Sequence, residues 1–348
     1  MGGTGSGRLT LVQQWILGPS AVFADVNGFA VDRLGVKHNG QHEEALEFLT
    51  GASWGFQTPQ DLLDQADLLI QHGHRADFAQ TARMTALPPP AREEFGDLLR
   101  QMDALVKRKA AGPGTPGPGI LRRLVILRFG PAYAPLFDRL YSGDAPPHTT
   151  HPNAGPPHPD HPNAGYPNTG HPSAGYPDVG QSGAGHPPSG YPDFGQRPVA
   201  GTDGDISTTE MLEMRSFLNS VFTDPDYADE EPRRLEMWLD PTFPREPSRY
   251  MIWDYARVML LLRCGQMADW LPEEFCWDRL FELAMDVQRH YTSWHDMATC
   301  YLQGRLMWSG GTAGHQDRFE QAAKALAADP GSPWNRVPWH LPLRRDWP

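Results

Sequence analysis

Residues 249–265 read RYMIWDYARVMLLLRCG, and this stretch decides the fold. Between Arg249 and Cys264, apolar side chains fall on nearly every face of the helix that the stretch would form. A surface helix carries a single apolar stripe, whereas a helix that is apolar all round is enclosed by other elements. The reading is therefore a central helix, closed by Gly265. Asp254 and Arg257, one turn apart, lie among these apolar residues and need partners there.

Outward from this stretch the chain continues to read as helices. Pro272-Glu273-Glu274 opens one whose inward face is Cys276, Leu280, Leu283, Ala284 and Val287. Ser293 and Asp296 have capping-box spacing ahead of a helix to Trp308. Phe319, Ala322, Ala323 and Leu326 mark the last one. Upstream, Thr58-Pro59-Gln60-Asp61 supplies an N-cap, a proline at the first helical position and an acid at the third. Leu62, Leu63, Ala66, Leu69 and Ile70 follow at helical spacing, and Gly73 is placed to cap the end. Phe95, Leu98, Leu99, Met102, Leu105 and Val106 form another stripe behind Pro88–Pro90, and a further helix spans Thr208 to Val221. No segment shows strand alternation, and Ile120–Phe129 is too short to assign. The fold class is all-α: a multi-helix globular domain interrupted by a long Pro/Gly/His/Tyr-rich disordered repeat.

That interruption accounts for an odd composition. The 348 residues include 35 glycines and 35 prolines. From Asp144 to Ala200, 14 prolines and 9 glycines occupy 23 of 57 positions. Pentapeptides keep register there: HPNAG at 151–155 and 161–165, YPNTG at 166–170, HPSAG at 171–175, YPDVG at 176–180 and YPDFG at 191–195. Large apolar residues are too few in this stretch to offset chain entropy. The chain divides into a flexible tail (1–8), an N-terminal helical part (9–143), the repeat linker (144–204) and a C-terminal part (205–348) with nine of the eleven tryptophans. A shorter spacer covers Gly112–Gly119. Closing a ~53-residue loop in place of a 6-residue one costs only about 2 kcal/mol. The two helical parts are thus free to pack as one discontinuous domain.

Net charge and motifs bound the function. A net charge of −12 argues against a general nucleic-acid coat. Cys264, Cys276 and Cys300 have no CxxC spacing and read as free thiols in a reducing, cytoplasmic compartment. No apolar run approaches the ~18 residues of a membrane span. Leu9–Ala24 is interrupted by Gln13, Gln14 and Gly18-Pro19 and does not read as a secretory leader. A basic complement of 26 Arg and 4 Lys points to a GC-rich bacterial genome. There is no P-loop, GxSxG, HExxH or EF-hand pattern, and no cofactor or metal is implied.

Four groups of residues are candidates for chemistry. Trp253, Asp254 and Arg257 on the central helix face Trp294, Tyr301, Arg305 and Trp308 on a second one, where Gly304 lets backbones approach. Asp254 is expected to pair with Arg257, or across the interface with Arg305. Such a cluster is either an ion pair that sets helix register or a polar pocket in an aromatic cleft for a small anionic or polar ligand. His72, His74 and Arg75 suggest a metal site or a general base, but two histidines alone make an incomplete zinc site; beside a helix C-terminus the three read as capping residues. Lys107, Arg108, Lys109, Arg122, Arg123 and Arg128 concentrate six positive charges between residues 104 and 137, where no acid occurs. They form either a solvated face or a contact with an anionic surface. His148, His151, His158, His161 and His171 of the repeat can chelate transition metals weakly. The plainer reading of the repeat is a spacer.

The C-terminal set resembles the uncharacterised bacterial proteins of the DUF1266 family. The resemblance rests on Trp253-Asp254 with Arg257, on Gly265, on Tyr291 with Trp294, and on Tyr301 with Gly304-Arg305 and Trp308. It ends at Ser332–Trp339, SPWNRVPW. Trp54-Gly55, the helix from Pro59, Gly73-His74-Arg75 and Phe78 extend it to the N-terminal part. Together these cover residues 45–85 and 245–340. The resemblance implies one discontinuous helical domain with the repeat as an insertion, and it supplies no catalytic residues. The expectation is a non-enzymatic helical protein that acts through a protein partner. The alternative is a small-ligand binder or enzyme built on the Trp253/Asp254/Arg257/Arg305 cluster.

Overall fold

A computed structural model describes residues 9–33, 41–109, 118–141, 208–224, 226–311 and 316–347. The tail 1–8, the linker 144–204 with its pentapeptides and histidines, and most of the 112–119 spacer lie outside the described residues. Regular structure among the described residues is helical throughout. The helices are α1 (Leu11–Leu17), α2 (Ala21–Val26), α3 (Gln41–Thr50), α4 (Pro59–Gln71), α5 (Gly73–Met84), α6 (Pro89–Lys109), α7 (Pro118–Phe129) and α8 (Ala134–Tyr141). After the linker come α9 (Thr208–Thr223), α10 (Tyr227–Leu239), α11 (Met251–Met267), α12 (Glu273–His290), α13 (Trp294–Trp308), α14 (Gln316–Ala328) and α15 (Pro333–Arg336). None of them is long and apolar enough to cross a membrane.

The central helix expected from residues 249–265 is α11, and every one of its residues is buried. It packs against α3, α4, α12 and α13. The Tyr291 hydroxyl fixes its start, accepting from Ile252 N–H (3.1 Å) and donating to the Arg249 carbonyl (2.8 Å). Gly265 does not close the helix, contrary to expectation. It lies inside α11, which ends at Met267, and Asp269 then turns the chain at φ 60°. The glycine serves close packing: a Cβ there would stand 2.8 Å from Leu271 Cδ1 and 3.0 Å from Leu62 Cδ1 of α4.

The main core draws buried residues from 12–69 and from 251–339. Indoles lie near its centre. Trp15, Trp294 and Trp339 have ring centroids 4.8–5.1 Å apart. A buried indole N–H needs an acceptor, and backbone carbonyls supply it. Trp15 donates to Trp339 O (2.9 Å), Trp294 to Val337 O (2.9 Å), Trp334 to Gly18 O (3.0 Å) and Trp339 to Tyr291 O (3.1 Å). Residues Ser332–Trp339 thus strap α1 to α12 and α13.

A second core joins α6, α7, α8, α9 and α10 through Phe95, Met102, Leu124, Phe137, Met214 and Phe217. Ile120–Phe129, unassigned from sequence, is helical here as part of α7. Leu121, Leu124, Val125 and Leu127 turn inward once packing partners select the helical period. Buried ionic contacts join the two cores. The Glu231 carboxylate of α10 accepts from Arg128 of α7 (2.5 Å), Thr81 of α5 (3.0 Å) and Arg234 (3.4 Å). Arg234 and Arg233 also donate to Met307 O (2.9 Å), Trp308 O (2.8 Å) and Gly310 O (2.6 Å), closing the end of α13.

Gly18 tests the packing. A Cβ there would come 2.4 Å from the Trp294 ring, whereas at Gly119 of α7 nothing lies within 4 Å. Gly18→Ala should lower stability by about 1–3 kcal/mol in urea titrations. Gly119→Ala should raise it by about 0.5 kcal/mol or leave it unchanged.

Candidate functional site

Asp254 is fully buried on the first turn of α11 and receives the corner between α4 and α5. Gly73 makes that corner at φ 55°, and a Cβ on it would stand 2.1 Å from Asp254 Oδ2. Only glycine meets both demands. The next residue, His74, donates its backbone N–H to Asp254 Oδ1 (3.1 Å) and places Nδ1 3.0 Å from the same oxygen. Arg75 donates Nη1 to Asp254 Oδ2 (3.2 Å) and to the Leu69 carbonyl (2.9 Å), and Nη2 to the Ile70 carbonyl. One carboxylate thus sits at the positive end of α5, while one guanidinium covers the free carbonyls at the end of α4.

Arg257 completes the group. Its Nη2 is 3.8 Å from Asp254 Oδ1, and its guanidinium lies over the rings of Trp253 (5.1 Å) and Trp54 (5.7 Å). Burial raises the Asp254 pKa. The His74 contact and the guanidiniums of Arg257 and Arg75 outweigh that effect and hold the carboxyl below its usual range.

The structure separates the other expected members. Arg305 is not a partner of Asp254. It donates Nη1 to Gln316 Oε1 (2.9 Å) and lies over the Phe319 ring at 4.0 Å, because its turn of α13 faces α14 while Asp254 faces α5. Trp294 belongs to the indole cluster. Tyr301 and Trp308 do meet Trp253, each with ring centroids 5.5 Å away. His72 is the exposed C-cap residue of α4. Arg75 caps α4 as expected, but His74 belongs to the first turn of α5 and reaches Asp254.

The basic segment is largely neutralised in space. Lys107 pairs with Asp103 (2.8 Å), Arg122 with Asp138 (2.8 Å) and Arg123 with Glu94 (2.6 Å), while Arg128 is buried against Glu231. Asp103 and Asp138 stand just outside the acid-free window, and Glu94 and Glu231 arrive from other helices. Arg108 is exposed, and the Lys109 side chain lies outside the described residues. No group of three or more His, Cys, Asp or Glu among the described residues is placed to hold a metal ion.

The Trp253/Asp254/Arg257 group and the tryptophan strap lie within residues 205–339, which match the family model described as "Protein of unknown function (DUF1266)". The match spans 135 of the 348 residues and supports membership of the DUF1266 family for this region. The match begins at α9 and includes α10, upstream of the resemblance seen in sequence, and it does not cover residues 45–85. Those residues nevertheless hold the partners of Asp254, His74 and Arg75. No curated protein and no solved structure matches the chain.

Sequence reasoning missed two buried charged groups. One is Glu231 with its arginines. The other is Arg263, which donates to Ser20 Oγ (3.2 Å) and to the Ala30 and Arg33 (2.9 Å) carbonyls, and whose pKa burial pushes down to about 10. A signal for Arg263 was present, since it lies inside the apolar run that defines α11.

Asp254→Asn should lower stability by about 3 kcal/mol, because it leaves buried guanidinium charge uncompensated. The folded-state pKa lies below the unfolded 3.8. The stabilisation is therefore complete above that value and is lost as pH falls through the folded pKa. Urea midpoints taken from about pH 6 to about pH 2 should fall less steeply for Asp254→Asn than for wild type. Parallel acid limbs would contradict the assignment.

Proposed function

We propose that this protein is a non-enzymatic helical protein of the bacterial cytoplasm that acts by contact with a protein partner. The observation that carries this reading is the use of Asp254. Both carboxylate oxygens are taken by α5 and Arg75, so the one acid of the aromatic cluster sets register and offers no open base. A general base must reach a substrate proton, and this carboxylate is enclosed by its own chain.

The placement of the linker supports the same reading. Both α8, which ends at Tyr141, and α9, which starts at Thr208, pack in the second core. The segment between them therefore departs from and returns to one small lobe, an arrangement suited to presenting it to a partner. The two helical parts, sharing the residues of the main core, act in this reading as one discontinuous domain. The 26 Arg against 4 Lys and the three buried free thiols support the bacterial, reducing setting.

Affinity capture from native lysate of the source cell tests it. The full chain is expected to retain a defined partner, and a chain without residues 144–200 to retain less. Recovery of nothing above background by both chains would overturn the reading.

A further inference from the structure

A groove of about 250 Å³ opens beside the second core, between the C-terminal half of α6, the end of α9 and the start of α10. Leu99, Val106, Val221, Phe222 and Tyr227 form its apolar wall. Leu99 and Val221 are buried, whereas Val106 and Phe222 keep part of their surface open to solvent. Pockets for cofactors and drug-sized ligands occupy ~300–1,000 Å³, so this one has room for a side chain or two. The rim is acidic. Asp103 and Asp224 line it, and Asp226 and Asp229 stand close enough to act on Lys107, a base of the lining. Lys107 is taken by Asp103 at 2.8 Å. The groove therefore suits a neutral or positive ring and disfavours an acidic segment.

The chain carries such rings within reach. The linker leads into α9 at Thr208, and the groove lies at the other end of that 16-residue helix, ~24 Å away. Four pentapeptides of the linker begin with His-Pro, at His151, His161, His171 and His186, and none of the four carries an acid. Two of the three Tyr-Pro copies do, at Asp178 and Asp193. A proline fixes its own φ and restricts the residue before it, so a histidine placed there has less freedom to lose on docking. His171 and Thr208 are 37 positions apart, and a coil of that length has an r.m.s. span of about 35 Å. A tether whose span is close to the distance it must cover gives its ligand a high effective concentration, on the order of millimolar.

We propose that the groove between α6, α9 and α10 receives the His-Pro pentapeptides of its own chain, one ring at a time, with the imidazole against Val106 and Phe222 and a ring N–H directed to Asp103 or Asp224. Four equivalent copies share one groove, so the linker is held to the lobe it leaves from by whichever copy is docked. The contact is internal to the chain and does not rest on the partner reading.

Photo-crosslinking in the full chain tests the contact. Thr223→p-benzoylphenylalanine places the probe on the exposed rim of the groove, and Glu282→p-benzoylphenylalanine, exposed on α12, is the comparison. Lys107→p-benzoylphenylalanine repeats the measurement from the α6 side. Irradiation should join residues 223 and 107 to peptides that contain the His-Pro copies, at a yield well above that from residue 282. The combined variant His151→Ala, His161→Ala, His171→Ala and His186→Ala changes no residue of the described helices. It should lower that yield about tenfold. Mixing isotope-labelled with unlabelled chains separates contacts within one chain from contacts between chains. Equal yields from the groove and from residue 282, a yield that the histidine variant leaves unchanged, products centred on the Tyr-Pro copies, or products that join only different chains would each overturn the proposal.

Discussion

The Asp254 carboxylate is the contact on which the main core depends. A helix buried over its whole length can carry a charge only if other elements bring donors to it. The α4–α5 corner does so with a backbone N–H, an imidazole and a guanidinium, and Gly73 is the residue that lets the corner come close enough. The same contact gives α5 its position, and α5 then presents Thr81 to Glu231. The buried carboxylate on α11 is thus linked, through one helix, to the buried carboxylate on α10 that joins the second core. Removing either acid would expose guanidinium charge on helices that touch both cores.

The tryptophans solve a related problem with neutral groups. Four indoles bury large apolar area, and each N–H must still find an oxygen. The structure supplies four backbone carbonyls from loops and helix ends, among them Gly18 O between α1 and α2 and Tyr291 O at the end of α12. Within Ser332–Trp339 the accepting carbonyls, Val337 O and Trp339 O, lie just beyond the short helix α15, where no further helical turn uses them internally.

The helical class and most helix starts were legible in the sequence because their causes are local. Thr58, Pro59 and Asp61 cap α4 through groups within three residues of one another, and Ser293 accepts from Asp296 N–H in the same way. The central position of α11 was legible because enclosure leaves a mark on every face. The partners of Asp254 were only half legible. Arg257 lies on the same helix, and its spacing shows the pairing. His74 and Arg75 lie about 180 positions away, and their local signal, two histidines and an arginine beside a glycine, reads equally as a helix cap. The basic segment misled for the mirror reason: an acid-free window in sequence says nothing of Glu94 or Glu231, which reach it through the fold. Gly265 looked like a helix stop because a glycine's packing role depends on what approaches it, here Leu62 and Leu271.

The imbalance of 26 Arg and 4 Lys reads in sequence as a mark of genome composition, but the structure also uses it. Arginines from other elements close one helix end after another. Arg75 serves the carbonyls of α4, Arg92 those beyond α5, Arg245 those of α10, Arg249 that of His290 on α12, and Arg233 and Arg234 those beyond and within α13. Each of these ends has carbonyls that no backbone N–H reaches. A planar guanidinium can span two of them at once or join a carbonyl to a carboxylate, as Arg75 and Arg234 do, whereas an ammonium is a point donor without that fork. At two of these ends, those of α4 and α13, a glycine at positive φ follows the cap residue, Gly73 at 55° and Gly310 at 57°, so glycine turns the chain while arginine meets the remaining carbonyls. A small all-helical chain with many short helices has many such ends, and arginine is the residue that lets them lie inside the fold.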